Sequence, residues 1–174
     1  MRTRVLVVAA IAGLLTFGVT LPALADPTTA TVTVTGGALA MTVPADAGSL
    51  GSTANKVSGS VISGPLGQVQ VLDARSALAG SGWIVSVIST AFTPSSGPTI
   101  GASLVGYTAG AITQTGTATY MANNPTNLTG VAPAVTATGI TGDNSATWNP
   151  TINVTIPGGT VVGTYSGTIT QSIL

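Results

Sequence analysis

The chain has 174 residues, of which only four are Lys or Arg and four are Asp or Glu, and it contains neither His nor Cys. Nucleic-acid grooves are excluded, because such binding rests on many Lys and Arg contacts to phosphates. Disulfide staples and the usual zinc sites are excluded as well, and the common Ser- and Cys-nucleophile mechanisms lose their His base.

The sequence opens with Arg2 and Arg4 ahead of an apolar run from Val5 to Val19, followed by Ala23-Leu24-Ala25. A positive start, a short apolar stretch and a small-x-small site are the marks of a secretory signal peptide. Removal of residues 1–25 is expected to leave a single domain, 26–174, beginning at Asp26. Its charged residues are Lys56 and Arg75 against Asp26, Asp46, Asp73 and Asp143. No Cys follows the signal to carry a lipid, and "GTITQSIL" at the end is neither an apolar tail nor a basic stop. The expectation is an exported protein that stays at a surface by binding, without a covalent or membrane-spanning anchor.

Strand patterning begins at once in the remaining chain. "TATVTVT" (29–35) sets Val32 and Val34 against Thr31, Thr33 and Thr35. "QVQVLDAR" puts Val69, Val71, Asp73 and Arg75 on one face, and "SGWIVSVISTAF" (81–92) alternates Trp83 with Val85 and Val87. Near the end, Ile152, Val154 and Ile156 alternate with Asn153 and Thr155, and Tyr165, Ile169 and Ile173 oppose a Thr/Ser face. Period-two alternation in β-branched residues predicts half-buried strands. Turn signals separate them, among them Gly36-Gly37, Pro44-Ala45-Asp46, Asn123-Asn124-Pro125, Gly142-Asp143-Asn144 and Pro157-Gly158-Gly159. Residues 93–144 are the least regular and predict short strands between long loops. The fold class that follows is all-β, an antiparallel β-sandwich or barrel-like sandwich of about eight to ten strands.

Little in this chain points to chemistry. The carboxylates Asp46, Asp73 and Asp143 have no spacing that suggests a glycosidase pair, so the protein is not expected to be an enzyme, and no cofactor is implied. Asp143 and Asn144 with loop carbonyls could hold calcium, but an Asx turn at "GDN" is the simpler reading. Asp73 and Arg75 lie on one face of a strand, where they make either a ligand contact or a structural ion pair whose guanidinium fork also reaches carbonyls. The structural reading takes precedence. The large rings are either core or stacking platforms for sugars. Trp83 and Tyr165 read as core from their apolar neighbours, whereas Tyr107, Tyr120 and Trp148 stay open between the two roles.

The stretches "VQVLDARSALAGSGWIVSVISTAF" and "ATWNPTINVTIPGGTVVGTYSGTITQSIL" together resemble the WxL domain of Gram-positive surface proteins. That family shows a D-x-R segment, a W-x-L strand ending near Phe, and a P-x-G-x-x-x-G-x-Y stretch leading into a second W-x-L strand. The first motif falls on Asp73, Arg75, Trp83-Ile84-Val85 and Phe92, and the closing element on Pro157 to Tyr165. The sequence departs at Val85, where Leu is usual, and at Gln171-Ser172-Ile173, where the second Trp is missing. The resemblance covers residues 30–174. It implies secretion to the cell wall, non-covalent attachment with peptidoglycan as the ligand, and partnership with WxL-interacting and wall-anchored surface proteins. The motif residues Asp73, Arg75, Trp83 and Tyr165, together with Tyr107, Tyr120 and Trp148 from the reading of the rings above, are the candidate motif or wall-binding residues. A structural subunit of a self-assembling fibre or sheath is the alternative, motivated by long Thr/Val strands with few edge-protecting Lys or Pro.

Overall fold

The computed structural model describes residues 29–54 and 56–174. The predicted signal peptide and the predicted start at Asp26 therefore lie outside the described residues. The chain divides after Thr33, and the unit Val34–Leu174 carries every strand among the described residues.

Ten strands follow one another: β1 Leu39–Thr42, β2 Ser60–Pro65, β3 Val69–Ser89, β4 Thr93–Pro94, β5 Val105–Thr108, β6 Thr113–Ala122, β7 Ala132–Trp148, β8 Thr151–Ile156, β9 Tyr165–Ser166 and β10 Ile169–Ile173. A single 3-10 turn, Ala102–Leu104, interrupts them, and the described residues contain no α-helix. All pairings are antiparallel. The larger sheet runs β1-β3-β7-β6, with β10 beside β1 on the same edge of β3. The smaller sheet runs β2-β8-β5, and β4 pairs with β9. The two main sheets pack as a sandwich around a single core.

β3 sets the geometry. Its first half, through Asp73, lies between β1 and β7; its second half, from Trp83, lies between β10 and β7. Between the halves the register against β7 shifts three times from Asp73 to Trp83. Such bulges bend and twist a strand, and the Ser-, Ala- and Gly-rich stretch 76–82 has a single large side chain, Leu78, which is 84% exposed and packs nothing to hold a straight ladder. On either side of it the alternation expected from sequence is present: Val69, Val71, Asp73, Trp83, Val85 and Val87 are buried, whereas Gln70, Leu72 and Ile84 are exposed. Ile152 and Val154 of β8 and Val105 and Tyr107 of β5 face them from the second sheet, in the registers Val105 to Val154 and Tyr107 to Ile152.

The connection from β1 to β2 crosses from one sheet to the other without secondary structure. Leu50 passes so close to β2 that a Cβ on Gly64 would sit 2.3 Å from the Leu50 carbonyl oxygen. Only glycine fits beneath that crossing.

Three expectations need correction. "TATVTVT" (29–35) is not a strand, because no neighbouring strand takes up its backbone bonds, and Val32 is 89% exposed. Residues 93–144 are less loop-rich than their composition suggests: they supply β6 and most of β7, the strand that joins β3 to β6. Gly142-Asp143-Asn144 is not a tight turn but lies within β7, where β3 takes up Gly142 and Asn144 in the ladder at Ala77 and Asp73.

Candidate functional site

Four of the seven candidate residues meet in one cluster. Asp73 points into the sandwich with no exposed surface. Its Oδ1 accepts Arg75 Nε at 2.8 Å and its Oδ2 accepts Arg75 Nη2 at 2.9 Å, the bidentate geometry in which Arg and a carboxylate bind most strongly. The same Nη2 reaches the Gly82 carbonyl at 3.3 Å. The guanidinium thus ties the two halves of β3 together across the bulged segment. These bonds, with one from the Arg75 amide and one from Asn144, pull the Asp73 carboxyl down to about 2, against the opposing effect of burial. The carboxylate in turn raises the Arg75 pKa.

Asn144 links this ion pair to the aromatic rings. Its Nδ2 donates to Asp73 Oδ2 at 3.1 Å, and its Oδ1 accepts both Trp83 Nε1 at 3.2 Å and the Tyr120 hydroxyl at 3.1 Å. The rings of Trp83 and Tyr120 lie 5.6 Å apart at a tilt of 57°, within the favourable range for an aromatic pair. Burial, and then the negative charge of Asp73, raise the Tyr120 pKa.

Two more candidates form a second buried chain. Trp148 Nε1 donates to the Tyr107 hydroxyl at 2.7 Å, and that hydroxyl donates to Gln171 Oε1 at 3.1 Å. Burial pushes the Tyr107 phenol up to about 12. Tyr165, half-buried beside the core, donates its hydroxyl to the Val161 carbonyl at 2.8 Å.

The stacking platforms allowed for Tyr107, Tyr120 and Trp148 are therefore not present. Trp148 and Tyr107 are core side chains at 2% and 1% exposure, and Tyr120 lies half-buried against Trp83. A chain this poor in Leu and Phe needs its large rings to fill the space between the sheets. The turn assigned to Asp143 is also replaced: Asp143 Oδ1 accepts the amide and hydroxyl of Ser76 at 2.9 and 3.2 Å. No cluster of three or more metal-ligating side chains occurs among the described residues.

Two members of these buried networks are not among the residues expected from the sequence. Asn144 was hidden by the turn-like "GDN", although Asn144, Ala146 and Trp148 already alternate as one buried face. Gln171 stands where the resemblance expects a Trp, and its side chain reaches inward to accept the Tyr107 hydroxyl.

What the fold leaves open is surface. On the outer face of the larger sheet, β6 exposes Thr113, Thr115, Thr117 and Thr119, and β10 exposes Thr170 and Ser172. Ile84, Thr136 and Met121 form a row across β3, β7 and β6. No charged side chain stands in this row or among these Thr and Ser residues. A groove of about 1020 Å³ lies elsewhere, between segments 44–54 and 160–169, and is floored by Phe92, Ile100 and Val154.

No family model, curated protein or solved structure matches the chain.

Proposed function

We propose that the protein is a non-catalytic cell-surface module that holds the Gram-positive cell wall non-covalently, with peptidoglycan as its ligand. The observation that carries this reading is the placement of the two WxL-like segments. β10, the strand that follows the closing element, is hydrogen-bonded along the Trp83 strand, from Ile169 opposite Ser89 to Ile173 opposite Val85. Segments about eighty residues apart in sequence thus form one continuous piece of sheet. Asp73 and Arg75 brace that sheet from within, consistent with a motif that shapes a surface rather than touching a ligand.

The contact surface in this reading is the outer face of the larger sheet. Threonine hydroxyls donate to and accept from glycan hydroxyls and peptide carbonyls alike. The exposed Ile84 and Met121 offer apolar area against the flat faces of sugar rings. Among the described residues every aspartate side chain is engaged within the fold: Asp73 with Arg75 and Asn144, Asp143 with Ser76, and Asp46 with the Gly48 amide. WxL-interacting and wall-anchored surface proteins are the partners this reading expects, and export is the route it requires.

Thr119 and Thr138 are exposed cross-strand neighbours on that face. Replacing both with Val removes two hydroxyls while keeping side-chain shape and strand preference. At about 0.5–1.5 kcal/mol per hydrogen bond, the double variant is expected to bind purified peptidoglycan about tenfold more weakly with an unchanged thermal midpoint. Equal binding by the two proteins would remove this face from the proposal.

A further inference from the structure

The segment Thr29–Thr35 has the alternation of an amphipathic strand but is not assigned to one, and its two valines, Val32 and Val34, are 89% and 81% exposed. Pairing along β1 ends just beyond Leu39, with Gly37 donating its amide to the Ala74 carbonyl. Strand-forming residues that leave their backbone groups and apolar side chains to water present a template on which another chain can pair.

The sheets contain a matching vacancy. Of the free edges, the one on β5 is taken up by the segment after β6: the Tyr107 amide donates to the Pro125 carbonyl and the Ala109 amide to Asn124 Oδ1. Leu50 crosses β2. On β6 the register breaks around Gly116. β10 differs from all three. Leu174 and Ile84 exchange both backbone bonds, so the alternation of an antiparallel ladder turns the amides and carbonyls of Ile169, Gln171 and Ile173 away from β3. No strand among the described residues pairs with that side. Beside it opens the 1020 Å³ groove, lined by Ile169 and reaching core residues Phe92, Ile100 and Val154. Asp46 is its only charged lining residue.

We infer that Thr29–Thr35 of one copy adds as a strand to the free edge of β10 in a second copy, with Val32 and Val34 entering the groove. The binary patterns agree. β10 turns Ile169 and Ile173 inward and Thr170 and Ser172 outward, and the added segment sets two valines inward and Thr31, Thr33 and Thr35 outward. Backbone bonds supply the affinity of such strand addition, and the alternate side chains supply its register. No charge in Thr29–Thr35 opposes entry. Because one copy gives Thr29–Thr35 and the other gives its β10 edge, the contact is heterologous, and each copy keeps an unused donor or acceptor through which the assembly can propagate into a fibre. This assembly requires no wall polymer and is independent of the proposed peptidoglycan binding.

Thr33 and Ser172 are exposed, and the described chain is free of cysteine, so each accepts a single Cys without disturbing the core. Full-length Thr33→Cys protein mixed with Ser172→Cys protein and treated with a short bis-maleimide should give a cross-linked heterodimer whose yield rises with concentration. The same mixture carrying Val32→Asp and Val34→Asp should lose at least nine-tenths of that product. Absence of the heterodimer, or equal yield with the Asp substitutions, would overturn the inference. Residues 1–28 are the same in every sample, so association through the apolar N-terminal run would appear as equal yield. No wall is present, so the result does not depend on peptidoglycan binding.

Discussion

Asn144 donates its side-chain amide to Asp73 Oδ2 at 3.1 Å, joining β3 and β7 at a fully buried carboxylate. The same Asn accepts hydrogen bonds from Trp83 and Tyr120, so a single side chain satisfies three polar groups at the centre of the larger sheet.

Asn144→Leu keeps the volume and removes every one of these bonds. The carboxylate loses one partner, and the buried indole N–H of Trp83 loses its only one. A cost of about 2–4 kcal/mol is expected, since each unsatisfied buried group costs about 1–3 kcal/mol. Tyr120→Phe removes a half-buried hydroxyl shared between Asn144 Oδ1 at 3.1 Å and the Ser145 carbonyl at 3.4 Å, and should cost about 0.5–1.5 kcal/mol. Urea unfolding of the two variants measures the difference.

The Asp73 carboxyl, held at about 2 against an ordinary 3.8, fixes the sign of an acid response. A pKa lowered by folding contributes stability that is complete above the unfolded value and is lost as pH falls through the folded one. Stability should therefore decline between about pH 4 and pH 2, by roughly 1–2 kcal/mol once the solvent around the partly exposed Arg75 is allowed for. Asp73→Asn should lower stability at pH 7 and flatten this part of the curve. Tyr107, at about 12, has the opposite sign: its contribution is complete below pH 10 and is lost as pH rises towards 12. Denaturant midpoints measured from pH 2 to pH 12 test both limbs.

Position 171 tests the resemblance to the WxL pattern. Gln171 accepts the Tyr107 hydroxyl, which in turn accepts Trp148, so the space a second motif Trp would need is already occupied. Gln171→Trp should destabilise by about 1–3 kcal/mol through overpacking. Tyr107→Phe should cost about 1–3 kcal/mol by leaving the buried Trp148 N–H without a partner. A Gln171→Trp protein more stable than the wild type would show that the space beside Tyr107 accepts an indole.

The all-β class and the antiparallel sandwich were legible because alternation in Thr- and Val-rich runs needs no knowledge of partners. Val69, Val71 and Asp73 share a buried face, and so do Trp83, Val85 and Val87, as the alternation within each run predicted, whereas Arg75 is exposed beyond the buried Asp73. Three things were not legible. Whether "TATVTVT" is a strand depends on an available edge, which period two cannot reveal. Residues 142–144 carry turn chemistry but lie within a strand, because β3 supplies the ladder partners. The choice between core and platform for Tyr107 and Trp148 depended on each other's position, since Trp148 Nε1 finds its acceptor in a hydroxyl 41 residues away.

Trp83→Ala separates structure from binding. The indole is 2% exposed and packs against Tyr120, so truncation should cost about 3–5 kcal/mol, the usual range for a large core aromatic. Calorimetry or urea unfolding gives the value. Unchanged stability together with lost wall binding would instead make Trp83 a ligand contact.

Retention on purified peptidoglycan, stripped of teichoic acids, across a series of NaCl concentrations tests the proposed function most directly. A face of hydroxyls and exposed apolar side chains gains little from ion pairing, and Lys56 and Arg75 are the only cations of the chain beyond Arg2 and Arg4. Screening shortens the reach of charges to about 3 Å at 1 M salt and leaves hydrogen bonds and apolar contact in place. The protein should remain bound at about 1 M NaCl and come off in denaturant. Failure to bind stripped peptidoglycan, or elution by moderate salt alone, would contradict the proposal.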